Sequence, residues 1–302
     1  MKITDIFKEQ KQTFSFEFFP PKDEISALDF GINLGQLMKL SPSFITVTYG
    51  AGGSTQEKTF AIVDYIQNKL GITCAAHYTC VNATKEKLEA DLKELYSKNI
   101  ENLMLLRGDP PKGQSKFIPT EGGCSHASDL IEFAKDVNDF CAGAACYPEK
   151  HLEAANLDED IKYLKLKFDA GADFLTTQFF FDNSIYFDFI EKTKAVGIEC
   201  RIIPGIIPIT NYNQIKRFTQ LSGASIPEDL IDKLETYKEN PGKVEQLGID
   251  FAIEQTRDLL SKGAPGLHFY TLNKSRAVVE IFETLSLEFL RGKEKDQYRL
   301  NF

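Results

Sequence analysis

The feature that most constrains this 302-residue chain is a recurrence in its sequence. Segments of strand character return at intervals of about 30 residues, and each is followed by a segment of helical period. The strand segments are 14–19 (FSFEFF), 44–49 (FITVTY), 73–79 (TCAAHYT), 102–106 (NLMLL), 143–147 (GAACY), 173–179 (DFLTTQF), 200–204 (CRIIP) and 267–272 (LHFYTL). Between them run amphipathic stretches. Leu88, Leu92 and Leu95 share one helix face, Ile161, Leu164 and Phe168 another that Gly171 closes, and Ser54 with Glu57 makes a capping box for a helix to Leu70. Eight such units without a break in composition predict a closed parallel (β/α)8 TIM barrel, an α/β fold filling one domain over residues 1–302. A doubly wound sheet is the alternative. The interval between the seventh and eighth strands is about twice the usual unit. Within it, SIPEDLIDKLETYKENPGKVEQLG (225–248) predicts an extra pair of helices.

Composition narrows the function classes. The net charge is −9, and no Lys/Arg run forms the basic footprint that nucleic acid or a membrane surface would require. The N-terminus has no apolar core or small-residue cleavage pattern, and nowhere do about 18 apolar residues run together, so the expectation is a cytoplasmic chain. The six cysteines form no CxxC pair and suit buried thiols in a reducing compartment. The four histidines, 77, 126, 151 and 268, show no metal-ligand spacing, and no metal is expected. Trp is absent and Phe numbers 24, so pocket walls should be Phe and Tyr.

The residues with chemistry to offer fall at the C-terminal ends of the predicted strands, where a barrel carries its active site. Glu17 lies within the first. Strand alternation puts Phe14, Phe16 and Phe18 on one face and Ser15, Glu17 and Phe19 on the other, and Pro20-Pro21 stops the strand. A carboxylate beside aromatic walls resists ionising, which prepares a general acid; pairing with a Lys or Arg is the plainer alternative. Thr48 and Tyr49 end the second strand, His77 the third, Arg107 and Asp109 follow the fourth, Tyr147 and His151 the fifth, Gln178 lies in the sixth, and Tyr270 and Asn273 end the eighth. Taken singly, a strand-end His is more often a satisfied core residue, and Asp109 before two prolines is a ready turn former. Arg107-Gly108-Asp109 sets a donor fork and a carboxylate about a residue without a side chain, which suits a nitrogen heterocycle or a phosphate group. GAGGST (50–55) precedes a helix and could bind an anion, but it matches neither GxGxxG nor the Walker A spacing. Asp158, Asp160 and Lys167 read as a solvated helix face with one or two contacts to a ligand.

The succession FSFEFFPPK, VTYGAGG, AAHYTC, LRGDPP, CYPEKH, DAGADFLTTQFFFD, IIPGIIPIT and HFYTLNKS, from about residue 14 to 276, resembles the methylenetetrahydrofolate reductase family of bacterial, single-domain type. The resemblance implies a barrel that holds FAD without a Rossmann fingerprint. It also implies reduction of 5,10-methylenetetrahydrofolate to 5-methyltetrahydrofolate by NADH or NADPH, in the one-carbon metabolism that serves methionine biosynthesis, and assembly as a homo-oligomer. Carried over by position, the FAD site comprises Thr48, His77, Leu106, Arg107, Gly108, Asp109, Tyr147, His151, Asp160 and Lys167. The folate site adds Gln178, Gln214 and Phe218. Glu17 falls on the general acid and Asp109 on the carboxylate between flavin and pterin. Tyr163 and Leu166 stand where some members place polar FAD contacts, and Lys274 replaces an Arg. The implied cycle is ping-pong, both substrates using one pocket. A proline dehydrogenase-like flavin barrel and a non-catalytic folate- or flavin-binding subunit are the alternatives.

Overall fold

The computed structural model describes residues 1–50, 56–110, 113 and 117–291, with side chains as far as 286. One sheet carries β1 (Thr13–Phe18), β2 (Phe44–Val47), β3 (Cys74–Thr79), β4 (Asn102–Leu106), β5 (Cys141–Cys146), β6 (Phe174–Thr177), β7 (Arg201–Ile203), β8 (Gly205–Ile206) and β9 (Gly266–Tyr270). Its order is β7-β6-β5-β4-β3-β2-β1-β9-β8, and every pairing is parallel. The two ends of that order, β7 and β8, are one strand interrupted at Pro204. Proline has no N–H to give the ladder, so pairing with β6 stops at Ile203, and from Gly205 the chain pairs with β9 instead. The Pro204 carbonyl accepts from His268 N at 2.9 Å, and Gly205 N donates to Thr177 Oγ1 at 2.8 Å. The sheet thus closes into the expected (β/α)8 barrel.

Alternation along the strands sorts their side chains. Outward-facing Phe16, Phe18, Ile45, Val47, Ala76, Tyr78, Leu103, Leu105, Leu175 and Phe269 pack with the surrounding helices in the principal core. These helices begin with α2 (Glu24–Met38), opened by a reciprocal Asp23–Ser26 cap and burying Phe30, Leu34 and Leu37, and continue with α3 (Gln56–Asp64), α4 (Lys85–Ser97), α5 (Ala127–Val137) and α6 (Leu157–Asp169).

A first helix, α1 (Ile3–Glu9), was not foreseen, because seven residues with two buried isoleucines carry too little periodicity. Ile3 and Ile6 close the N-terminal mouth of the barrel against Phe44, Ala75, Met104, Cys141, Phe174 and Ile203. Asn102 pins it there, accepting from Ile3 N at 2.7 Å and donating to Met1 O at 3.0 Å.

Between the seventh and eighth strands lie α8 (Tyr212–Ser222), α9 (Glu228–Thr236) and α10 (Pro241–Ser261). The predicted extra helices are present, with the roles shifted. The long α10 packs between α7 (Asn183–Ala195) and α11 (Arg276–Arg291) and serves as the seventh barrel helix, so α8 and α9 are the addition. With the loop after β8 they build a second small core around Phe181, Ile207, Ile209, Tyr212, Ile215, Leu230 and Leu234. No helix among the described residues is long and apolar enough to cross a membrane.

Candidate active site

A cavity of about 780 Å³ opens at the C-terminal ends of the strands. Glu17 sits at its base, 6% exposed, because the inward face of β1 carries Ser15 and then Glu17. Glu17 Oε2 lies 3.3 Å from His77 Nε2 and 3.4 Å from His268 Nε2. The side chains within ion-pair distance of it among the described residues are imidazoles, not the Lys or Arg of the plainer alternative. The approach to His77 is too poorly aligned to be a hydrogen bond, and Nε2 of that ring remains a buried polar atom without a hydrogen-bond partner among the described residues. Burial holds the His77 pKa below its ordinary value, against the opposing pull of Glu17.

On the other side, His268 Nδ1 is 2.8 Å from Ser15 Oγ, whose hydroxyl is 3.5 Å from the Leu267 carbonyl. A neutral His268 donating from Nδ1 to Ser15 presents the Nε2 lone pair to Glu17; the other tautomer presents a proton there. Ser15, His268 and Glu17 therefore form a hydrogen-bonded row leading to the cavity. Tyr270 flanks it, its ring edge-on to His268 at 5.2 Å and its hydroxyl donating to Thr177 O at 2.7 Å. Burial and then the nearby Glu17 raise the Tyr270 pKa well above its ordinary value, so the phenol stays a donor.

The opposite wall mixes the cations Arg107 and Lys167 with the carboxylates Asp109, Glu153 and Asp160. Arg107 gives its fork to Glu153 at 2.6 and 2.9 Å and lies 5.0 Å over the Phe117 ring. Gly108 has φ +89°, and a Cβ there would come within 2.6 Å of Val81 Cγ2 and 2.9 Å of Thr79 Cβ. The protein floor beneath it and its left-handed backbone thus both demand a glycine here. Asp109 is exposed at the mouth. Lys167 Nζ reaches in to the Ala145 carbonyl at 2.9 Å and lies 5.8 Å over the Tyr147 ring, with its pKa lowered by burial. His151, edge-on to Tyr147 at 4.8 Å, also has its pKa lowered by burial, and its backbone N–H donates to Asp160 at 2.8 Å.

Residues 2–286 match the family model of methylenetetrahydrofolate reductase. The chain belongs to that family. It is 39% identical to methylenetetrahydrofolate reductase (NADH) 1 of Arabidopsis thaliana, over 95% of this chain and 51% of the plant protein, so it spans about half the length of that relative. It is 34% identical to 5,10-methylenetetrahydrofolate reductase of Escherichia coli, over 90% of each chain. Among solved structures it is similar to an uncharacterized protein from Clostridium thermocellum that binds two copies of 5-methyl-5,6,7,8-tetrahydrofolic acid. That likeness has a TM-score of 0.65 at 17% identity, covers 95% of this chain and 98% of the other, and bears on the fold alone.

The structure gathers nearly all the residues expected from the reductase family around one cavity: Glu17, Thr48, His77, Leu106, Arg107, Gly108, Asp109, Tyr147, His151, Asp160, Lys167, Gln178 and Phe218 all line it. Gln214 is outside the lining, one turn before Phe218 on α8, and Asp158 is outside it too. The diverged Tyr163 and Leu166 sit on the rim, each about half exposed. Of the 50–55 stretch only Gly50 is described, and it lines the cavity; Ser54, with the capping role expected of it, lies outside the described residues. His268 and Glu153 were missed. Alternation would have found His268, which stands two residues before Tyr270 on the same face of β9 and opposite Ser15. No local pattern marks Glu153, whose partner lies 46 residues away.

Proposed function

We propose that this chain reduces 5,10-methylenetetrahydrofolate to 5-methyltetrahydrofolate with electrons from NADH or NADPH, holding FAD as its bound cofactor. The observation that carries the reading is Glu17, a buried carboxylate at the base of a large cavity, flanked by His77 and His268 and connected through His268 to Ser15. The wall residues fit FAD. Arg107 and Lys167 are cations suited to its diphosphate, and His77 Nε2, without a hydrogen-bond partner among the described residues, is a donor or acceptor for a polar ring. Thr48, Leu106, Gly108, Asp109, Tyr147, His151 and Asp160 complete the residues that would hold it. When bound, FAD supplies the hydride-transfer chemistry that no side chain provides.

The protein's own residues supply the acid–base chemistry. The substrate is a five-membered aminal that must open to an iminium before it is reduced. Glu17 donates a proton to the departing nitrogen, a contribution of about 10² to 10⁴ in rate. His268, held through Nδ1 by Ser15, orients the Glu17 carboxyl from Nε2, and Glu17 regains the proton it gave up from water in the open cavity between turnovers. Asp109 at the mouth stabilises the cationic iminium as an anion. Gln178 fixes the pterin edge with Gln214 in support, and Phe218 stacks on the folate or, in its turn, on the nicotinamide. One cavity then serves both substrates in a ping-pong cycle. We place the enzyme in the cytoplasm, as a homo-oligomer.

The test is the absorption spectrum of the purified protein. It should show bound flavin that NADH or NADPH bleaches and methylenetetrahydrofolate restores. Restoration by no folate, or bleaching by proline instead, would overturn the reading. Asp109→Asn should slow the folate step more than the dinucleotide step.

A further inference from the structure

Beyond Phe18 the first strand has no neighbour of its own kind. Its last pairing with β9 is Glu17 with Tyr270, and Pro20 and Pro21, which lack N–H groups, follow Phe19. After β9 the chain turns away through two successive left-handed residues, Leu272 at φ +52° and Asn273 at φ +59°. A branched side chain such as Leu272 holds that conformation only under outside constraint.

The turn aims the Asn273 amide at Phe19. Asn273 Oδ1 accepts from Phe19 N at 2.8 Å and Asn273 Nδ2 donates to Phe19 O at 2.8 Å. A side chain thus makes the two bonds a neighbouring strand would have made. Thr271 Oγ1 completes the clamp, donating to Glu17 O at 2.6 Å and accepting from Asn273 N at 3.2 Å.

What the clamp holds is the backbone of a residue whose ring no other ring touches among the described residues. Phe14, Phe16 and Phe18 each meet another aromatic ring, whereas among the described residues Phe19 meets none. Phe19 is 40% exposed and lines the cavity. By alternation it stands on the strand face that carries Glu17, one step nearer the mouth. A flat ring system entering the cavity would bury the exposed face of this ring.

We propose that Phe19 is a substrate-contacting ring and that Asn273 is the positioning residue that holds it beside Glu17, the ligand being the flat ring system of a folate. This rests on the reductase reading above.

The experiment uses the flavin-loaded enzyme. The Michaelis constant for methylenetetrahydrofolate and kcat are measured for wild type, Phe19→Ala, Asn273→Ala and the double variant, with thermal unfolding as a check on folding. Each single variant should raise the folate KM by about tenfold and change kcat by less than about threefold. The double variant should be no worse than the poorer single, because Asn273 acts through Phe19. Should Asn273→Ala fail to fold, Asn273→Asp keeps the acceptor for Phe19 N and loses the donor to Phe19 O, and an intermediate rise in KM is expected. An unchanged KM in any folded Asn273 variant, or effects that multiply in the double variant, would overturn the proposal. A wild type that turns over no methylenetetrahydrofolate would overturn the reductase reading and this proposal together.

Discussion

At the N-terminal end of the barrel the inward side chains are Phe44, Ala75, Met104, Cys141, Phe174 and Ile203, covered by Ile3 and Ile6 of α1. Further along β2, β3 and β6 the inward positions are the polar Thr46, Thr48, His77 and Thr176, joined from β1 and β9 by Glu17 and His268, while β4 and β5 bring the apolar Leu106 and Ala145 to the cavity. Phe44 and Thr46, Ala75 and His77, and Phe174 and Thr176 are each one alternation step apart. The lower half is closed and filled, as a core must be. The upper half keeps a buried carboxylate, two buried imidazoles and an unpartnered ring nitrogen, all of which burial penalises. A closed barrel can carry such a half because the other half and the outer ring of helices supply stability without it.

If that division is right, substitutions at the two ends should separate activity from stability. The largest effect is expected at the upper end. Glu17→Gln should lower folate reduction by about 10² to 10⁴ while flavin reduction by NADH or NADPH persists, read by stopped-flow on each half-reaction. Equal loss of both would remove Glu17 as the acid. At the lower end, Phe174→Ala should cost about 3–5 kcal/mol in urea unfolding, with activity per folded molecule unchanged. A comparable loss of activity in the folded variant would show that the two ends are coupled.

A smaller effect is expected at the plug. Asn102→Ala leaves the Ile3 amide without its acceptor and should cost about 1–3 kcal/mol, with kcat untouched. Smallest is the pH dependence at the upper end. Burial lowers the His77 pKa from 6.5, so below that pH the unfolded chain takes a proton that the folded one refuses. Stability from this group is complete above about pH 6.5 and is lost as the pH falls towards the lower folded value, by at most about 1.4 kcal/mol per pH unit. His77→Asn should flatten that slope in acid unfolding curves. His151 shifts the same way, so some slope should remain.

Much of the fold could be read from the strand segments, since β4 spans the expected residues and most other strands differ by only a residue or two at either end. The break at Pro204 was partly visible. The sequence places a proline at the end of the seventh strand, but only closure onto β9 shows the strand continuing beyond it as Gly205–Ile206. At the candidate site, Glu17, His77, Arg107 and Gln178 could be named because each lies in or next to a recognisable strand end. Glu153 could not, because a salt bridge between distant loops leaves no periodic trace.

What the sequence by itself determined is the alternation: which residues of each strand face inward, that Glu17 shares a face with Ser15 and Phe19, and that the chemistry gathers at one rim. These follow from local backbone geometry and need no knowledge of which strands are neighbours. What only the tertiary structure decided is the company each inward residue keeps. That His268 stands against Ser15 and Glu17, that Asn273 grips Phe19, and that α1 plugs the far end depend on the closing pair β1–β9 and on a helix docking beneath the barrel. Those contacts join residues some 250 positions apart in the first two cases and up to 200 in the third, and such separations are set by closure of the sheet, which no local pattern encodes.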